Sequence, residues 1–433
     1  MFGYYLQLAL RSFRNSKMLT ALMVLAIALG IGASMTTLTV FHVLSGDPIP
    51  DKSDRLFYVQ LDPESMHGYV ADSEPSRNMT RFDSETLLRE ARGKRQAFMT
   101  GGFVAIEPDG ARAPFFTDAR YSSSEFFDMF DAPMAYGRGW TKEDDAAGAR
   151  VAVISEETNQ TVFGGGDSTG KTLRMSGSAF RVIGVLAPWR PTPRFWDLNL
   201  DGFESLESVF VPFSAAMDTK LSRMGSMSCW GESSGIDSNS LNAPCSWLQY
   251  WVELESPGDA AAYRDYLESY SEQQRTAGRF QRPVNVRLRD VRAHLDHAQV
   301  VPSDVRLQVW LALGFLLVCL VNTVGLLLAK SLRRASEIGV RRALGASRRA
   351  IFAQVLVEAG AIGVAGGICG LGLALLGLWA VRQNPSTYAE LARLDASMLL
   401  LTFGLSVTAS LLAGLLPAWR AMQVTPAIQL KSQ

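Results

Sequence analysis

The sequence predicts a membrane protein of four apolar α-helices, with a large α+β domain outside the cytoplasm inserted between the first helix and the second. Three observations carry that class: the layout of apolar runs, the placement of basic residues, and the mixed strand and helix patterning of the long polar stretch. The apolar runs are Met18 to Leu44, Val309 to Ala329, Ala359 to Val381 and Met398 to Leu416. Each meets the roughly 20 apolar residues needed to cross a hydrocarbon core of about 30 Å.

The spacing divides the chain into 1–17, a cytoplasmic amphipathic helix; 18–44, the first span; 45–307, the outer domain; 308–330, the second span; 331–350, a cytoplasmic segment; 351–381, the third span; 382–397, a short outer loop; 398–416, the fourth span; and 417–433, a cytoplasmic tail. Phe2, Tyr5, Leu6, Ala9, Leu10 and Phe13 fall near one face of the first segment, as in a helix lying along the inner surface. The first span is longer than the hydrocarbon requires, so it tilts or continues into water as a stalk. A cleaved signal peptide ending near Gly32-Ala33 is disfavoured, because the apolar run continues from Met35 to Leu44 and three more spans follow.

Orientation follows from Lys and Arg, which are retained on the cytoplasmic side. Arg11, Arg14 and Lys17 precede the first span, and Lys330, Arg333, Arg334, Arg341, Arg342, Arg348 and Arg349 lie between the second and third, opposed by Glu337 and Glu358. The loop from Arg382 to Ser397 is balanced in charge. Both termini therefore face the cytoplasm, and the insert faces outward.

Composition excludes several classes. With 433 residues, 48% of them hydrophobic, and a formal net charge of zero, neither a soluble enzyme nor a nucleic-acid binder is expected. The span interiors carry no Asp, Glu, Lys or Arg. Ion-coupled transporters hold their coupling charge within the membrane, so energy is expected from a partner. No His, Cys or carboxylate cluster has metal spacing, and no nucleophile lies beside a base; the chain is read as non-catalytic, with no metal or cofactor of its own.

One motif misleads. Gly165 to Thr172 fits the phosphate-binding pattern G-x-x-x-x-G-K-[ST]. That pattern needs a strand running into the glycines and a helix beginning at Lys171-Thr172. Here the helix-like Glu156 to Phe163 precedes it, and two strands around Ser176-Gly177-Ser178 follow. It is also placed on the outer side, away from cytosolic ATP.

Within the insert, Leu56 to Leu61, Val151 to Ile154, Phe180 to Leu186, Val209 to Val211, Trp247 to Leu254 and Val284 to Leu288 read as strands. Phe82 to Arg92, Ser123 to Phe130, Glu156 to Phe163 and Ala260 to Arg275 read as helices, giving an α+β domain. Trp189, Phe195, Trp196 and Trp230 either form an exposed contact surface or fold inward to close a small core. Cys319 and Cys369 sit in spans as packing residues. In an oxidising compartment Cys229 and Cys245 are expected to form a structural disulfide closing a Gly/Ser/Asn-rich loop.

The segment expected to meet an ATPase is Ser331 to Ile351. Glu337, Gly339, Arg341, Arg342 and Gly345 fall within one short helix-forming stretch between spans. The glycines permit close approach, and the two arginines suit bidentate bonds to partner carboxylates.

With those residues in place, the chain resembles permeases of the macrolide-exporter (MacB) type, whose C-terminal half is an FtsX-like permease domain. The resemblance runs through Arg334-x-x-Glu337-Ile338-Gly339-x-Arg341-Arg342-Ala343-Leu344-Gly345-Ala346, then Gln354, Glu358-Ala359, Gly366-Gly367 and Gly414 to Ala421 with Pro426. In the insert it runs through Tyr121 to Phe127, Gly137-Arg138, Asp144-Asp145, Arg150 to Ser155, Phe163 to Gly165, Gly170 to Leu173, Val182 to Val185 and Val209 to Pro212, and so spans nearly the whole chain.

The resemblance implies an insert of two subdomains, the distal one at about 98–244. It implies a bacterial inner-membrane machine in which two permease chains, identical or paralogous, pair across their first spans. Each would dock an ABC ATPase that binds ATP and Mg, supplied separately because the fused ATPase of the macrolide exporter is lacking here. Ala26, Gly30 and Ser34, four apart in the first span, suit the pairing face. The glycines of the third span suit packing within one chain at least as well. A periplasmic adaptor and an outer-membrane duct are the further partners implied. A signalling protein controlling a cell-wall hydrolase and a lipoprotein-releasing permease are the alternatives; the large insert favours the efflux-type reading.

Overall fold

The computed structural model describes residues 13, 16–108, 113–199, 202–203, 206–231, 235–383 and 396–423. The expected inner-surface helix, except Phe13, Ser16 and Lys17, most of the loop 382–397 and the end of the tail lie outside the described residues. The chain divides into two compact units, Met1–Ser45 with Val301–Gln433, and Gly46–Val300.

The first unit is helical. Four helices are long and apolar enough to cross a membrane: Lys17–Ser45, Ser303–Arg333, Arg348–Arg382 and Ala396–Met422. Each extends beyond the apolar run that marks it in the sequence, because hydropathy stops at the first charges while backbone hydrogen bonding continues into the polar flanks. The fourth runs through Pro417.

These helices pack through small residues. Met23, Ile27, Ile31 and Met35 of the first face Leu316 and Leu327 of the second and Ala359, Ile362 and Ala374 of the third. A Cβ at Gly366 would stand 2.6 Å from Ile27 Cγ2, and one at Gly363 would collide with Ser410 Oγ. The third helix therefore meets the first along one glycine face and the fourth along another.

Of Ala26, Gly30 and Ser34, expected to form a pairing face, Gly30 and Ser34 make close contacts within the chain. A Cβ at Gly30 would lie 2.9 Å from Leu316 Cδ1 of the same chain. Ser34 Oγ donates to the Ala312 carbonyl at 3.1 Å. Both residues are used inside the chain to seat the second helix, and the outward face of the first helix carries Met18, Leu22, Leu25 and Leu29 instead.

The second unit is built on strands β1 (Leu56–Gln60), β2 (Met79–Thr80), β3 (Arg95–Glu107), β4 (Phe115–Ser122), β5 (Met134–Gly137), β6 (Val151–Ile154), β7 (Thr172–Met175), β8 (Ser178–Leu186), β9 (Val209–Pro212), β10 (Ser222–Met224), β11 (Ser228–Cys229), β12 (Cys245–Glu253) and β13 (Arg287–Asp290). Its backbone runs in the order β13-β1-β12-β3-β4-β9-β6-β8-β5. The β4–β9 and β6–β8 pairs are parallel, and the other pairs are antiparallel. The two ends of the insert are neighbours, with Tyr58 of β1 opposite Arg289 of β13.

Period-two alternation sorts the core into two clusters on opposite faces of this sheet. On β6, Ala152 and Ile154 enter one cluster and Val151 and Val153 the other. β12 is buried along its whole length because both faces are covered: Tyr250 and Val252 pack on one side and Trp251 on the other. β3 pairs with β12 on one edge and with β4 on the other, so the sheet passes unbroken into the segment 98–244.

Several readings shift. β3 and β4 lie outside the strands expected from sequence; β3 runs through Gly101-Gly102, and a Cβ at Gly102 would collide with the Tyr121 ring across the pair. The strand expected at Val284 to Leu288 is Arg287–Asp290, following Pro283. The helix expected at Ser123 to Phe130 shrinks to Phe126–Met129, because Ser123 still bonds Phe98 through both its N–H and its Oγ.

Phe195 and Trp196 fold inward and are fully buried, which settles the aromatic cluster as core at those two positions. Trp196 stacks on Trp189 at 5.0 Å, and its carbonyl accepts from Trp251 Nε1 at 3.1 Å. Beside them, buried Arg120 reaches Asp197 at 2.6 Å and Glu207 through Nε at 2.9 Å. Burial would raise the Glu207 carboxyl, but Arg120 and then Arg194 outweigh it and hold it below the usual range. Cys229 and Cys245 are bonded, fastening β11 to β12 where the two residues are paired in register.

Candidate functional site

At Arg334 the second apolar helix ends with φ −101° and ψ 10°, and the same residue caps a short helix, Ala335–Ala343. Gly345 then takes φ +102°, a conformation suited to glycine, and Ser347 Oγ accepts from the Ala350 N–H to begin the third apolar helix. A hinge, a nine-residue helix, a glycine turn and a serine cap thus occupy the stretch singled out in the sequence.

Its charges are tied together. Glu337 accepts from Arg334 Nε at 3.0 Å and from Arg341 Nη2 at 2.5 Å. Burial would raise Glu337, but Arg334 and Arg341 outweigh it and hold its carboxyl below the usual range. Arg341 Nη1 also donates to Gln354 Oε1 at 3.1 Å, on the third apolar helix. Arg342 Nη1 reaches the Met422 carbonyl at 3.4 Å. Both ends of the Arg341 fork, expected to meet a partner, are engaged within the chain. Gly339 is buried against its surroundings, while Val340 and the C-cap residue Leu344, 50% and 83% exposed, lie one turn apart beside exposed Ser336 and Glu337.

A second cluster adjoins it. Lys330 and Glu358 are 4% and 6% exposed and pair at 2.6 Å. Glu358 also lies 3.5 Å from Arg334 Nη1. Lys330 Nζ reaches Thr20 Oγ1 of the first helix at 3.3 Å and stands 5.2 Å from the centre of the Phe13 ring. In sequence these residues read as orientation charges at span edges. Their pairing joins the end of the second apolar helix to the first part of the third across the short helix between them, and no local spacing reports that.

The insert holds a cleft of about 620 Å³, lined by Leu88, Phe98 and Phe213 with Glu125, Lys142 and Asp145. Burial pushes the Asp145 carboxyl up to about 7, although it accepts the Ser124 N–H at 2.7 Å. The phosphate-loop lookalike is not a cradle. Thr172 enters β7 rather than a helix, and Lys171 Nζ lies over the Phe163 ring at 5.1 Å. Among the described residues no cluster has the make-up of a metal site.

Known proteins place this architecture. Residues 20–270 match the MacB-like periplasmic core domain, and residues 309–426 match the FtsX-like permease C-terminal domain. The macrolide export ATP-binding/permease protein MacB of Azoarcus sp. is 26% identical over 305 residues, covering 70% of this chain and 40% of that protein. The pyoverdine export ATP-binding/permease protein PvdT of Pseudomonas entomophila is 25% identical over 344 residues, 77% of this chain and 45% of that protein. MacB of Rhodospirillum rubrum is 24% identical along 100% of this chain and 61% of its own length. The chain thus spans about two fifths to three fifths of these curated relatives. The periplasmic region of MacB from Actinobacillus actinomycetemcomitans aligns with a TM-score of 0.35 at 14% identity over 56% of this chain and 92% of that one, a slight likeness beside the sequence matches. With both domain matches in their expected order and together covering most of the sequence, the chain belongs to the MacB-like permease family.

Proposed function

We propose that the chain is the permease component of an ATP-driven transporter of the MacB type, set in a bacterial inner membrane with the insert in the periplasm. An ABC ATPase docks on the cytoplasmic side, and its closing movement passes through the apolar helices to the insert, which moves a periplasmic substrate together with an adaptor and an outer-membrane duct. A second permease chain completes the assembly. The chain performs no chemistry of its own.

The observation that carries this reading is the short helix Ala335–Ala343. It lies between two membrane-length helices, shows Val340 and Leu344 to the outside, and is bonded on its other side to the bundle. Exposed apolar residues one helical turn apart form a ridge suited to a partner groove. Affinity purification of the tagged chain from native membranes in mild detergent is expected to bring down an ABC ATPase and a periplasmic adaptor. Leu344→Asp is expected to lose the ATPase, at least tenfold by quantitative mass spectrometry (roughly 1.4 kcal/mol), with membrane insertion unchanged. Recovery of a cell-wall hydrolase in place of the adaptor would move the assignment to signalling, and absence of any ATPase would remove it.

A further inference from the structure

The short helix Ala335–Ala343 is bound to the apolar bundle through a run of side-chain contacts that begins and ends on the third apolar helix. Glu358 lies 3.5 Å from Arg334, and Arg334 bonds Glu337 at 3.0 Å. Glu337 bonds Arg341 at 2.5 Å, and Arg341 bonds Gln354 at 3.1 Å. Gln354 and Glu358 lie four residues apart on the third apolar helix, one turn of the same face, and that closes the ring. Lys330 enters from the second helix by its 2.6 Å pair with Glu358 and extends to Thr20 of the first.

We infer that this ring gears the coupling helix to the membrane helices, with Arg334 as pivot, Glu358 as pin and Lys330 as the branch to the first helix. This deepens the proposed function and rests on it for the identity of the driving partner. The argument begins with Arg334, which ends one helix and begins the next. Any swing of the short helix must turn about this residue, whose guanidinium pairs with Glu337 of the short helix and with Glu358 of the third apolar helix. The swing therefore either breaks an ion pair or pulls Glu358, and with it the third helix.

Apolar side chains slide past one another because their attraction has no direction. A buried ion pair has one favourable geometry, and parting it strands a charge in a low-dielectric setting, so the pair transmits displacement instead of absorbing it. The third helix then carries the shift to the first through the close contacts at Gly366 and Gly370 against Ile27 and Ile31. The first helix continues in sequence into the insert at Gly46. Lys330, Arg334 and Glu358 are thus positioning residues for transmission; the docking ridge Val340–Leu344 is separate from them.

The test uses the full-length chain in lipid nanodiscs with its co-purified ATPase, comparing wild type, Glu358→Gln, Lys330→Met and the exchanged pair Lys330→Glu with Glu358→Lys. Amide hydrogen exchange is read over Ala335–Ala343 and over the insert, with and without ATP. Each single variant is expected to speed exchange of the short helix about tenfold or more. Each should also keep the bound ATPase while abolishing the ATP-dependent change in the insert, and the exchanged pair is expected to restore both. Unchanged exchange in the short helix of both single variants, or an ATP response that survives Glu358→Gln, overturns the gearing. Gln354→Leu opens the ring at its neutral link and gives the same reading should Glu358→Gln fail to insert. If no ATPase accompanies the wild-type chain the proposed function falls, and exchange without nucleotide still decides the ring.

Discussion

His294 and Asp145 are two buried titratable groups that pull the stability of the insert in opposite directions as pH changes. His294 lies between the rings of Tyr58 at 4.1 Å and Trp251 at 5.5 Å, and burial draws its pKa from 6.5 down to about 3. The unfolded chain takes up that proton below 6.5 and the native chain does not, so stability is full above 6.5 and is lost as pH falls toward 3. Asp145, raised from 3.8 to about 7, behaves the other way: its native form keeps a proton that the unfolded chain releases, so its contribution is full below 3.8 and is lost as pH rises to 7. Each slope is at most about 1.4 kcal/mol per pH unit, and between the two ranges they largely offset. Thermal unfolding from pH 4.5 to 7.5 is therefore expected to be nearly flat in the wild type. Asp145→Asn should expose a loss of stability toward acid, and His294→Phe a gain. Equal pH profiles in all three would refute the linkage. At the same scale, Asp197→Asn leaves Arg120 partly unpaired inside the core, and a loss of about 3–5 kcal/mol is expected from urea unfolding. Neither the buried histidine nor the buried arginine could be read from sequence, because both owe their burial to segments distant along the chain.

Among the elements, the apolar helices were legible because hydropathy is a local property, and their ends were not because charges interrupt hydropathy before they interrupt hydrogen bonding. Helix Glu156–Phe163 was read with its bounds intact, since Ser155 caps it and Gly164 ends it at φ +81°. β3 was missed because the glycines that admit Tyr121 carry the signature of a turn. Packing of the third apolar helix supplies a prediction at this scale. Gly363→Ala forces a methyl group onto Ser410 and is expected to cost roughly 1–3 kcal/mol. Gly404→Ala meets nothing within 4 Å and is expected to be neutral or to gain up to about 1 kcal/mol from helix propensity. Thermal aggregation of the purified protein in detergent, followed by size-exclusion chromatography, separates the two. Equal effects would mean that the third and fourth helices do not pack as described.

For the whole molecule, the order of apolar runs and the basic loop already suggested a machine driven by a partner. The sequence singled out Ser331 to Ile351 by its charges, but not the bonds that Arg341 makes to Glu337 and Gln354, because an arginine in a basic loop looks available until its carboxylate and amide partners are seen. The proposed docking residues Val340 and Leu344 and the proposed transmission residues Lys330, Arg334 and Glu358 are distinct, and variants should separate them. Leu344→Asp is expected to lose the ATPase while the helix keeps its slow amide exchange; Glu358→Gln is expected to keep the ATPase and lose that protection. Loss of both properties in both variants would mean that one surface serves both roles.

The neighbouring positions of β1 and β13 bear on how such proteins can be built and studied. A folded module that begins and ends on adjacent strands has its ends brought together by its own hydrogen bonds, so the entropic cost of closing it lies inside the module and not in its host. The ends of such a module stay adjacent whatever lies between them, so its interior can be exchanged or enlarged without moving those ends. By the same reasoning, the segment Gly46–Val300 is the natural portion to excise and express as a free-standing soluble protein.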